Sequence, residues 1–285
     1  MRQTGARPEF RSIKEGDCMK TEAGWMLGAI GAYIFAIMPR IKRKPRRWKK
    51  VYYAHRGLFD NRSDAPENTL RAFQKAMEAG YGIEMDLQLT KDEQVVVFHD
   101  TDMKRVCGVP GRICDYTYED LRNFSVYGTD QKIPLFKEAL ELVDGRVPLI
   151  IELKYRNFSN RICEKADEFL KDYKGEYCIE SFHPWALMWY RKHRPEIRRG
   201  QLAMNFQRQE GNYSPEQIVV RHLLTNFLGR PDFIAYDIRD KEALSKNICR
   251  KLFKCPSVAW TVRSPRQLEQ SRPYYDYFIF EGFRP

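Results

Sequence analysis

The segment GIEMDL, residues 82–87, places two carboxylates inside an apolar run and decides which fold the chain can adopt. Glu84 and Asp86 are two residues apart, so on a β-strand both side chains point to the same face. Near-continuous apolar runs are typical of strands in parallel sheets, which are buried on both faces. Two charges on such a face are costly unless they are paired or bind a cation. The segment therefore predicts a buried parallel strand that carries a polar site.

Seven more β-rich runs accompany this segment, and helical patterns lie between them. The predicted strands span residues 51–55, 82–87, 147–153, 177–181, 200–204, 232–236, 257–261 and 276–280, and the predicted helices span residues 69–79, 135–143, 159–172, 184–192, 215–227, 241–253 and 265–270. Eight such units predict an α/β fold, a (β/α)8 TIM barrel. A doubly wound open sheet is the alternative, but no G-x-G-x-x-G follows the first strand.

Two features interrupt this alternation after the second strand. The run 94–98 predicts an extra strand that extends the second strand or forms a hairpin with it. Residues 101–133 break the rhythm of strands and helices, and they predict a small insertion near the mouth of the barrel.

The positive charge of the chain is concentrated at its N-terminus. The net charge is +11, yet residues 1–50 contain 13 Lys or Arg against 4 Asp or Glu, whereas residues 51–285 contain 36 against 34. A nucleic-acid-binding domain would be expected to spread its basic residues over a folded face. The nearly neutral body therefore argues against nucleic acid as a partner.

The cysteines indicate neither a metal site nor a disulfide framework. There are seven of them, irregularly spaced, and none forms a C-x-x-C pair. Cys163 and Cys178 lie in apolar stretches, so we expect them to be buried packing residues. This usage favours a reducing compartment.

The N-terminal arm predicts attachment to a membrane. Residues 23–38 contain no charge and form a predicted anchor helix, spanning or deeply interfacial, between a disordered segment 1–22 and a basic linker 39–50. Eight Lys or Arg in that linker place the folded domain on the cytoplasmic side and suit anionic lipid head groups. A buried helix of the folded domain and a signal sequence are the alternatives, and Met19 is a second possible start of the chain.

Polar residues close the predicted strands at the barrel end where active sites of this fold lie. They are His55 and Arg56 after the first strand, His99 and Asp100 after the extra run, and Glu152 and Lys154 after the next strand. Together with Glu84 and Asp86, Glu152 forms a set of carboxylates that suits Ca2+ or Mg2+ better than zinc. The alternative is a buried salt-bridge network in which Arg56 and Lys154 neutralise the acids.

The histidines of this set are candidates for proton transfer. An unperturbed imidazole titrates near neutral pH, which makes His55 and His99 the natural acid and base. Arg56 and Lys154 supply positive donors that suit a phosphate group. The remaining histidines are predicted to be surface residues: His183, His193 and His222.

These motifs resemble those of the glycerophosphodiester phosphodiesterase (GDPD) family, and the resemblance covers residues 51 to about 283. They are H-R-G at 55–57, P-E-N-T at 66–69, E-x-D at 84–86, T-x-D-x-x-x-V-x-x-H-D at 90–100, E-L-K at 152–154, E-S-F at 180–182 and A-W-T-V at 259–262. The resemblance implies a TIM-barrel catalytic domain, residues 51–285, that hydrolyses glycerophosphodiesters to an alcohol and glycerol 3-phosphate.

The resemblance also implies roles for individual residues. It assigns a divalent cation to Glu84, Asp86 and Glu152, acid–base catalysis to His55 and His99, phosphate or substrate binding to Arg56, Lys154 and Trp260, and a supporting network to Glu67, Asn68 and Asp100. Phosphodiester substrates are the implied partners, and no protein partner is predicted.

The chain departs from the family pattern at two positions near the predicted mouth. It ends on FIFEGFRP, residues 278–285, where the family usually has a segment like I-T-D-x-P, and Arg263 replaces the usual Asn after W-T-V. These departures concern the leaving group more than the chemistry. Lysophospholipids are therefore an alternative substrate class, and a catalytically silent, membrane-tethered binding module is an alternative function.

Overall fold

Eight parallel strands close into a barrel in the computed structural model, which describes residues 15–41, 50–156, 158–211 and 214–285. The strands are β1 (Tyr53–Ala54), β2 (Gly82–Leu89), β3 (Val95–Val97), β4 (Leu149–Leu153), β5 (Tyr177–Ser181), β6 (Arg198–Ala203), β7 (Phe233–Asp237), β8 (Ser257–Val262) and β9 (Tyr277–Phe280). Pairing of β1 with both β2 and β9 closes the ring. The predicted TIM barrel is confirmed.

Strand β3 lies outside the ring and pairs antiparallel with the end of β2, so the extra run forms a hairpin. The insertion that follows has a small core of its own, formed by Val96, Phe98, Met103, Val106, Ile113, Leu121, Val126 and Ile133. This separate core lets the insertion hold a fixed position beside the barrel mouth.

Helices surround the barrel and connect successive strands. They are α1 (Glu15–Ile37), α2 (Leu70–Glu78), α3 (Lys104–Cys107), α4 (Tyr118–Leu121), α5 (Phe136–Val143), α6 (Arg161–Leu170), α7 (Pro184–His193), α8 (Gln207–Glu210), α9 (Pro215–Arg221), α10 (Asn226–Gly229), α11 (Leu244–Leu252) and α12 (Pro265–Ser271). The hydroxyl of Ser214 caps α9 by accepting from the Gln217 backbone N–H, and Pro215 occupies the first turn.

The strands separate two apolar cores. The barrel interior contains Tyr53, Ile150, Cys178, Leu202, Phe233, Ala235, Val258, Tyr277 and Ile279. A larger cluster, to which Cys163 on α6 belongs, fills the space between the strands and the surrounding helices. Cys163 and Cys178 are both buried, as predicted.

Helix α1 is longer than the predicted anchor and partly packs on the barrel. It begins within the stretch predicted to be disordered, of which residues 1–14 lie outside the described residues, as do residues 42–49 of the predicted basic linker. Its last residue, Ile37, is buried, and the Ile37 carbonyl oxygen accepts a hydrogen bond of 2.8 Å from the side chain of Asn226. Within the described parts of the chain, no helix has both the length and the apolar character needed to cross a membrane.

Candidate active site

Two polar residues of the site lie in a left-handed backbone conformation in the loop between β1 and α2. Arg56 and Asn68 both have positive φ angles, and Gly57 follows at φ +85°. A Cβ at Gly57 would lie 2.8 Å from the backbone of Ala72, so only glycine fits. The Asn68 N–H donates to the Arg56 carbonyl oxygen at 2.9 Å. The H-R-G and P-E-N-T motifs therefore support each other.

Three buried carboxylates meet at the ends of two neighbouring strands. Glu84 and Asp86 lie on β2 and Glu152 on β4, where the register pairs Asp86 with Glu152. One ligand atom from each residue lies within 4.8 Å of the others. Close oxygen donors from carboxylates are the set that Ca2+ or Mg2+ prefers. The predicted acidic cluster is thus assembled, and it fits a divalent cation.

A fourth carboxylate, which the sequence analysis did not assign to the site, lies beside this cluster. Glu180 on β5 pairs in register with Glu152, is 1% exposed, and has one carboxyl oxygen without a hydrogen-bond partner. Burial and the neighbouring carboxylates raise the pKa of Glu84 and of Glu180 well above the ordinary value. The E-S-F motif was the available signal for this residue.

Two cations compensate only part of this negative charge. The Lys154 ammonium lies 2.9 Å from an oxygen of Asp86 and 2.7 Å from one of Glu152. Arg56 donates its backbone N–H to Glu84 at 3.0 Å, and its guanidinium binds Glu67 at 2.7 Å. Part of the predicted salt-bridge network is therefore present. Four carboxyl groups nevertheless lie in a site with two cations, and the raised pKa values of Glu84 and Glu180 reflect this shortage of positive charge, which a bound metal ion would relieve.

Both candidate catalytic histidines are held by a carboxylate on the same ring nitrogen. His55 Nδ1 lies 2.5 Å from Glu281, and His99 Nδ1 lies 2.7 Å from Asp100. Because a carboxylate can only accept a hydrogen bond, each Nδ1 carries the ring proton. Each Nε2 therefore remains as the nitrogen that can take part in proton transfer. Burial and the charge of Arg56 lower the pKa of His55, against the opposing effect of Glu281. The Nε2 atoms of both histidines are thereby candidates for proton transfer, although their surroundings differ, because His55 Nε2 lies 3.8 Å from a Glu84 oxygen.

The insertion contributes a residue that supports His99. Arg105 on α3 donates to Asp100 at 2.6 Å and to Glu67 at 2.6 Å. Although burial raises the pKa of Glu67, Arg105 and Arg56 lower it to about 2. The sequence carries no signal for Arg105, because the insertion contains no motif and its fold alone brings α3 beside the barrel.

The two departures from the family pattern contact each other. Arg263, after β8, donates to a Glu281 oxygen at 2.6 Å, and the other oxygen of Glu281 contacts His55. Glu281 was not among the site residues predicted from the sequence, although it follows the apolar run FIF just as Glu152 follows LII. An acid directly after a buried strand was the signal that could have found it.

A single cavity of about 1080 Å3 collects these groups. Eight of the predicted site residues line it: His55, Arg56, Glu84, His99, Asp100, Glu152, Lys154 and Trp260. The other three lie behind its wall, where Asn68 donates to Asp86 at 2.8 Å and Glu67 binds Arg56.

The wall of the cavity also includes a set of apolar and aromatic side chains. It contains Tyr155, Phe158, Phe182, Trp185, Met204, Phe206, Val219, Val220 and Leu228. The rings of Trp260 and Phe182 meet edge to face at 5.6 Å. His183 also lines the cavity and stacks on Tyr155 at 4.4 Å, so its prediction as a surface residue is wrong. His183 lies two residues after the end of β5 and is therefore at the mouth of the barrel, where the C-terminal ends of the strands meet.

Carboxylates and histidines gathered at the C-terminal ends of the strands define an enzyme of the TIM-barrel class. Residues 55–272 match the glycerophosphoryl diester phosphodiesterase family, and the chain belongs to that family. The predicted family and enzyme class are confirmed.

Curated relatives and solved structures agree with this membership. The chain is 36% identical over 173 residues to a glycerophosphodiester phosphodiesterase of Bacillus altitudinis, which covers 56% of this chain and 69% of the relative. It is 33% identical over 177 residues to lysophospholipase D GDPD1 of Homo sapiens, covering 55% of this chain but about half, 54%, of the relative. The glycerophosphodiester phosphodiesterase structure from Thermotoga maritima matches with a TM-score of 0.62 and 28% identity, covering 82% of this chain and 96% of that one.

Proposed function

We propose that this protein is a phosphodiesterase, dependent on a divalent cation, that hydrolyses glycerophosphodiesters to glycerol 3-phosphate and an alcohol. The observation that carries the proposal is the buried cluster of Glu84, Asp86 and Glu152 within 4.8 Å, in the same site as two carboxylate-bound histidines. When bound there, Ca2+ or Mg2+ would supply positive charge to the non-bridging phosphoryl oxygens.

The two basic side chains of the site orient the phosphate. Arg56 and Lys154 line the cavity beside the acidic cluster, and both are donors without acceptor capacity. They hold the non-bridging oxygens by charge-assisted hydrogen bonds and so fix the phosphorus relative to the two histidines.

The histidines transfer the protons. One Nε2 takes the proton of the attacking hydroxyl, from water or from the glycerol 2-hydroxyl, as its oxygen bonds to phosphorus. The other histidine starts as the imidazolium, protonated on both ring nitrogens, and gives its Nε2 proton to the alcohol oxygen as that P–O bond breaks. Attack by the glycerol hydroxyl forms a cyclic phosphate, which water then opens. Glu281 and Asp100 keep the rings of His55 and His99 in the required tautomer throughout.

An assay of product release tests this proposal. Glycerophosphocholine and glycerophosphoethanolamine should yield glycerol 3-phosphate in the presence of Mg2+ or Ca2+, and a chelator should abolish the reaction. The cation should also raise the melting temperature of the wild type but not that of Glu152→Ala. Glu141→Ala is the matched control, because Glu141 is exposed on α5. If no diester or lysophospholipid turns over, the protein is a binding module instead.

The apolar side chains in the cavity wall favour a second candidate, a lysophospholipase D-like activity on lysophospholipids. A soluble diester has no group that would cover these aromatic and aliphatic side chains, whereas a single acyl chain would. Val219→Asp should then lower turnover of lysophosphatidylcholine about tenfold more than turnover of glycerophosphocholine, since one apolar contact is lost. Ile218→Asp, at an exposed neighbour outside the cavity wall, is the control. Equal losses on both substrates would exclude this candidate.

The proposal places the enzyme at a membrane surface, with its catalytic domain on the cytoplasmic side. The exposed part of α1 supports it, since Trp25 is 79% exposed and Leu27 is 70% exposed, and basic residues follow in the sequence. The double variant Trp25→Glu/Leu27→Glu should move the full-length protein from the membrane fraction to the soluble fraction of cells. An unchanged distribution would contradict the attachment, and protease accessibility in sealed vesicles tests the side.

A further inference from the structure

A second concave site lies at the opposite end of the barrel from the active site. It has a volume of about 380 Å3, and four arginines line it: Arg40, Arg191, Arg199 and Arg230. Arg199 lies at the start of β6, and Arg40 contacts Asp232 just before β7. Both positions are at the N-terminal ends of the strands, whereas the catalytic residues lie at the C-terminal ends. We call these four residues the arginine pocket.

Most partners of these arginines are neutral carbonyl oxygens. Arg191 donates to the carbonyl oxygens of residues 227 and 228 at 2.9 and 2.8 Å, and Arg199 donates to that of residue 229 at 2.7 Å. Arg230 donates to the carbonyl oxygen of residue 38 at 3.1 Å, and Arg40 to that of residue 195 at 2.8 Å. These bonds orient the guanidinium groups but leave their positive charge uncompensated.

A single carboxylate faces the four charges among the described residues that contact the pocket. Asp232 lies 3.5 Å from Arg40 and 3.7 Å from Arg199. The nearest acid of the adjoining loop, Glu196, binds Arg194 at 2.7 Å. Four positive groups against one negative group leave a net charge of about +3, which is unfavourable in a partly buried site unless an anion binds.

The buried position of Arg199 makes this excess of positive charge more unfavourable. The side chain is only 2% exposed, so water cannot solvate its charge fully. Burial lowers the pKa of Arg199, Asp232 raises it, and the charges of Arg40 and Arg191 lower it again, to about 10. Arg199 is therefore repelled by two neighbouring arginines at a place where solvent relieves little of the repulsion.

We propose that the arginine pocket binds the phosphate group of an anionic ligand, separately from the active site. Guanidinium groups match phosphate oxygens in a bidentate geometry, and several of them around one concavity form a typical phosphate site. The phosphate could belong to a soluble compound or to the head group of an anionic phospholipid. The chain next to the pocket suits the lipid, because Ile41 is 70% exposed and residues 42–50 include seven Lys or Arg.

The ligand would also hold the N-terminal helix on the barrel. The pocket is built partly by residues 38–41, which directly follow α1, and partly by residues of α7, β6 and the end of α10. A phosphate bridging Arg40 with Arg191 and Arg230 would join these elements. Binding should therefore stabilise the contact between α1 and the barrel.

The test uses the full chain and the double variant Arg191→Gln/Arg230→Gln. Glutamine keeps a donor for the carbonyl oxygens while removing the charge, and Arg40→Gln serves as a second variant if the double variant does not fold. Lys192→Gln is the matched control, because Lys192 is exposed beside Arg191 on α7 but does not line the pocket. The variants are also measured in a Lys154→Ala background, which removes a phosphate contact of the active site, so that the remaining phosphate binding reports on the arginine pocket.

Two arms distinguish the sources of the phosphate. Binding of inorganic phosphate is measured by calorimetry, and binding to phosphatidylcholine vesicles with or without phosphatidic acid by co-sedimentation. The double variant should lose affinity about tenfold or more in at least one arm, whereas Lys192→Gln should not. A loss with phosphate identifies a soluble ligand, and a loss only with phosphatidic acid vesicles identifies a lipid. Wild-type affinity of the double variant in both arms, or no binding by the wild type, would overturn the proposal.

Discussion

Replacing Glu281 tests whether this carboxylate acts through His55. The two side chains are 2.5 Å apart, and the outer oxygen of Glu281 binds Arg263. Although burial raises the pKa of Glu281, the hydrogen bond and charge of His55, with Arg263, lower it to about 2. Glu281 is therefore ionised at the pH of the assay. In the proposed mechanism it orients the imidazole of His55 and stabilises the imidazolium that forms when Nε2 takes up a proton.

The size of the effect follows from the kind of bond that is lost. A hydrogen bond to a charged group contributes about 1.5–3 kcal/mol, so Glu281→Ala should lower kcat/KM about 10- to 150-fold. Glu281→Gln keeps a neutral acceptor and should cost about 5- to 15-fold. Arg263→Ala should cost less than about fivefold, because the Arg263 side chain is 57% exposed and exposed ion pairs contribute about 1 kcal/mol or less.

A double-mutant cycle identifies the route of the effect. Initial rates on glycerophosphocholine are measured for the wild type, Glu281→Ala, His55→Ala and the double variant, with melting temperatures to confirm folding. If Glu281 acts through His55, its removal has little further effect once His55 is alanine. A Glu281→Ala variant within about threefold of the wild type, or an equal loss in the His55→Ala background, would show that Glu281 does not act through His55.

Three further changes have defined outcomes. His99→Ala should lower kcat by about 10²–10⁴, and near-full activity would remove His99 from the mechanism. Glu67→Gln should be less stable than the wild type by about 3 kcal/mol near neutral pH, because the pKa of Glu67 is lowered to about 2. Urea unfolding should show this gap closing as the pH falls from about 4.5 towards 2, and a constant gap would contradict it. Burial lowers the pKa of Lys246 to about 7, so the unfolded state binds the extra proton between that pH and about 10. The wild type should therefore gain stability relative to Lys246→Met as the pH rises through that range, by at most about 1.4 kcal/mol per pH unit, and parallel profiles would disprove the assignment.

Local patterns explain why so much of the barrel and its acidic cluster could be predicted. An apolar run with period-two carboxylates places Glu84 and Asp86 on one face of β2 regardless of what surrounds the strand. The parallel barrel then brings the end of β4, with Glu152, to the same rim. Alternation of strands and helices over residues 51–285 was enough to predict this arrangement.

Support for the two candidate catalytic histidines depends on contacts between distant parts of the chain. His55 and Glu281 are separated by 226 positions and meet only because β9 pairs with β1. Arg105 reaches Asp100 and Glu67 because the insertion has its own core beside the mouth. No local sequence pattern predicts either contact.

The barrel and the acidic cluster of Glu84, Asp86 and Glu152 could be predicted from the sequence, because they follow from the spacing of apolar and polar residues along single strands. The family was indicated by the resemblance of its motifs. Tertiary structure alone decided which carboxylate holds His55 and which arginines share a pocket with Arg40. Those contacts join residues from opposite ends of the chain, and closure of the barrel and docking of α1 set their geometry. Long-range pairing is a property of the closed fold and not of any segment within it.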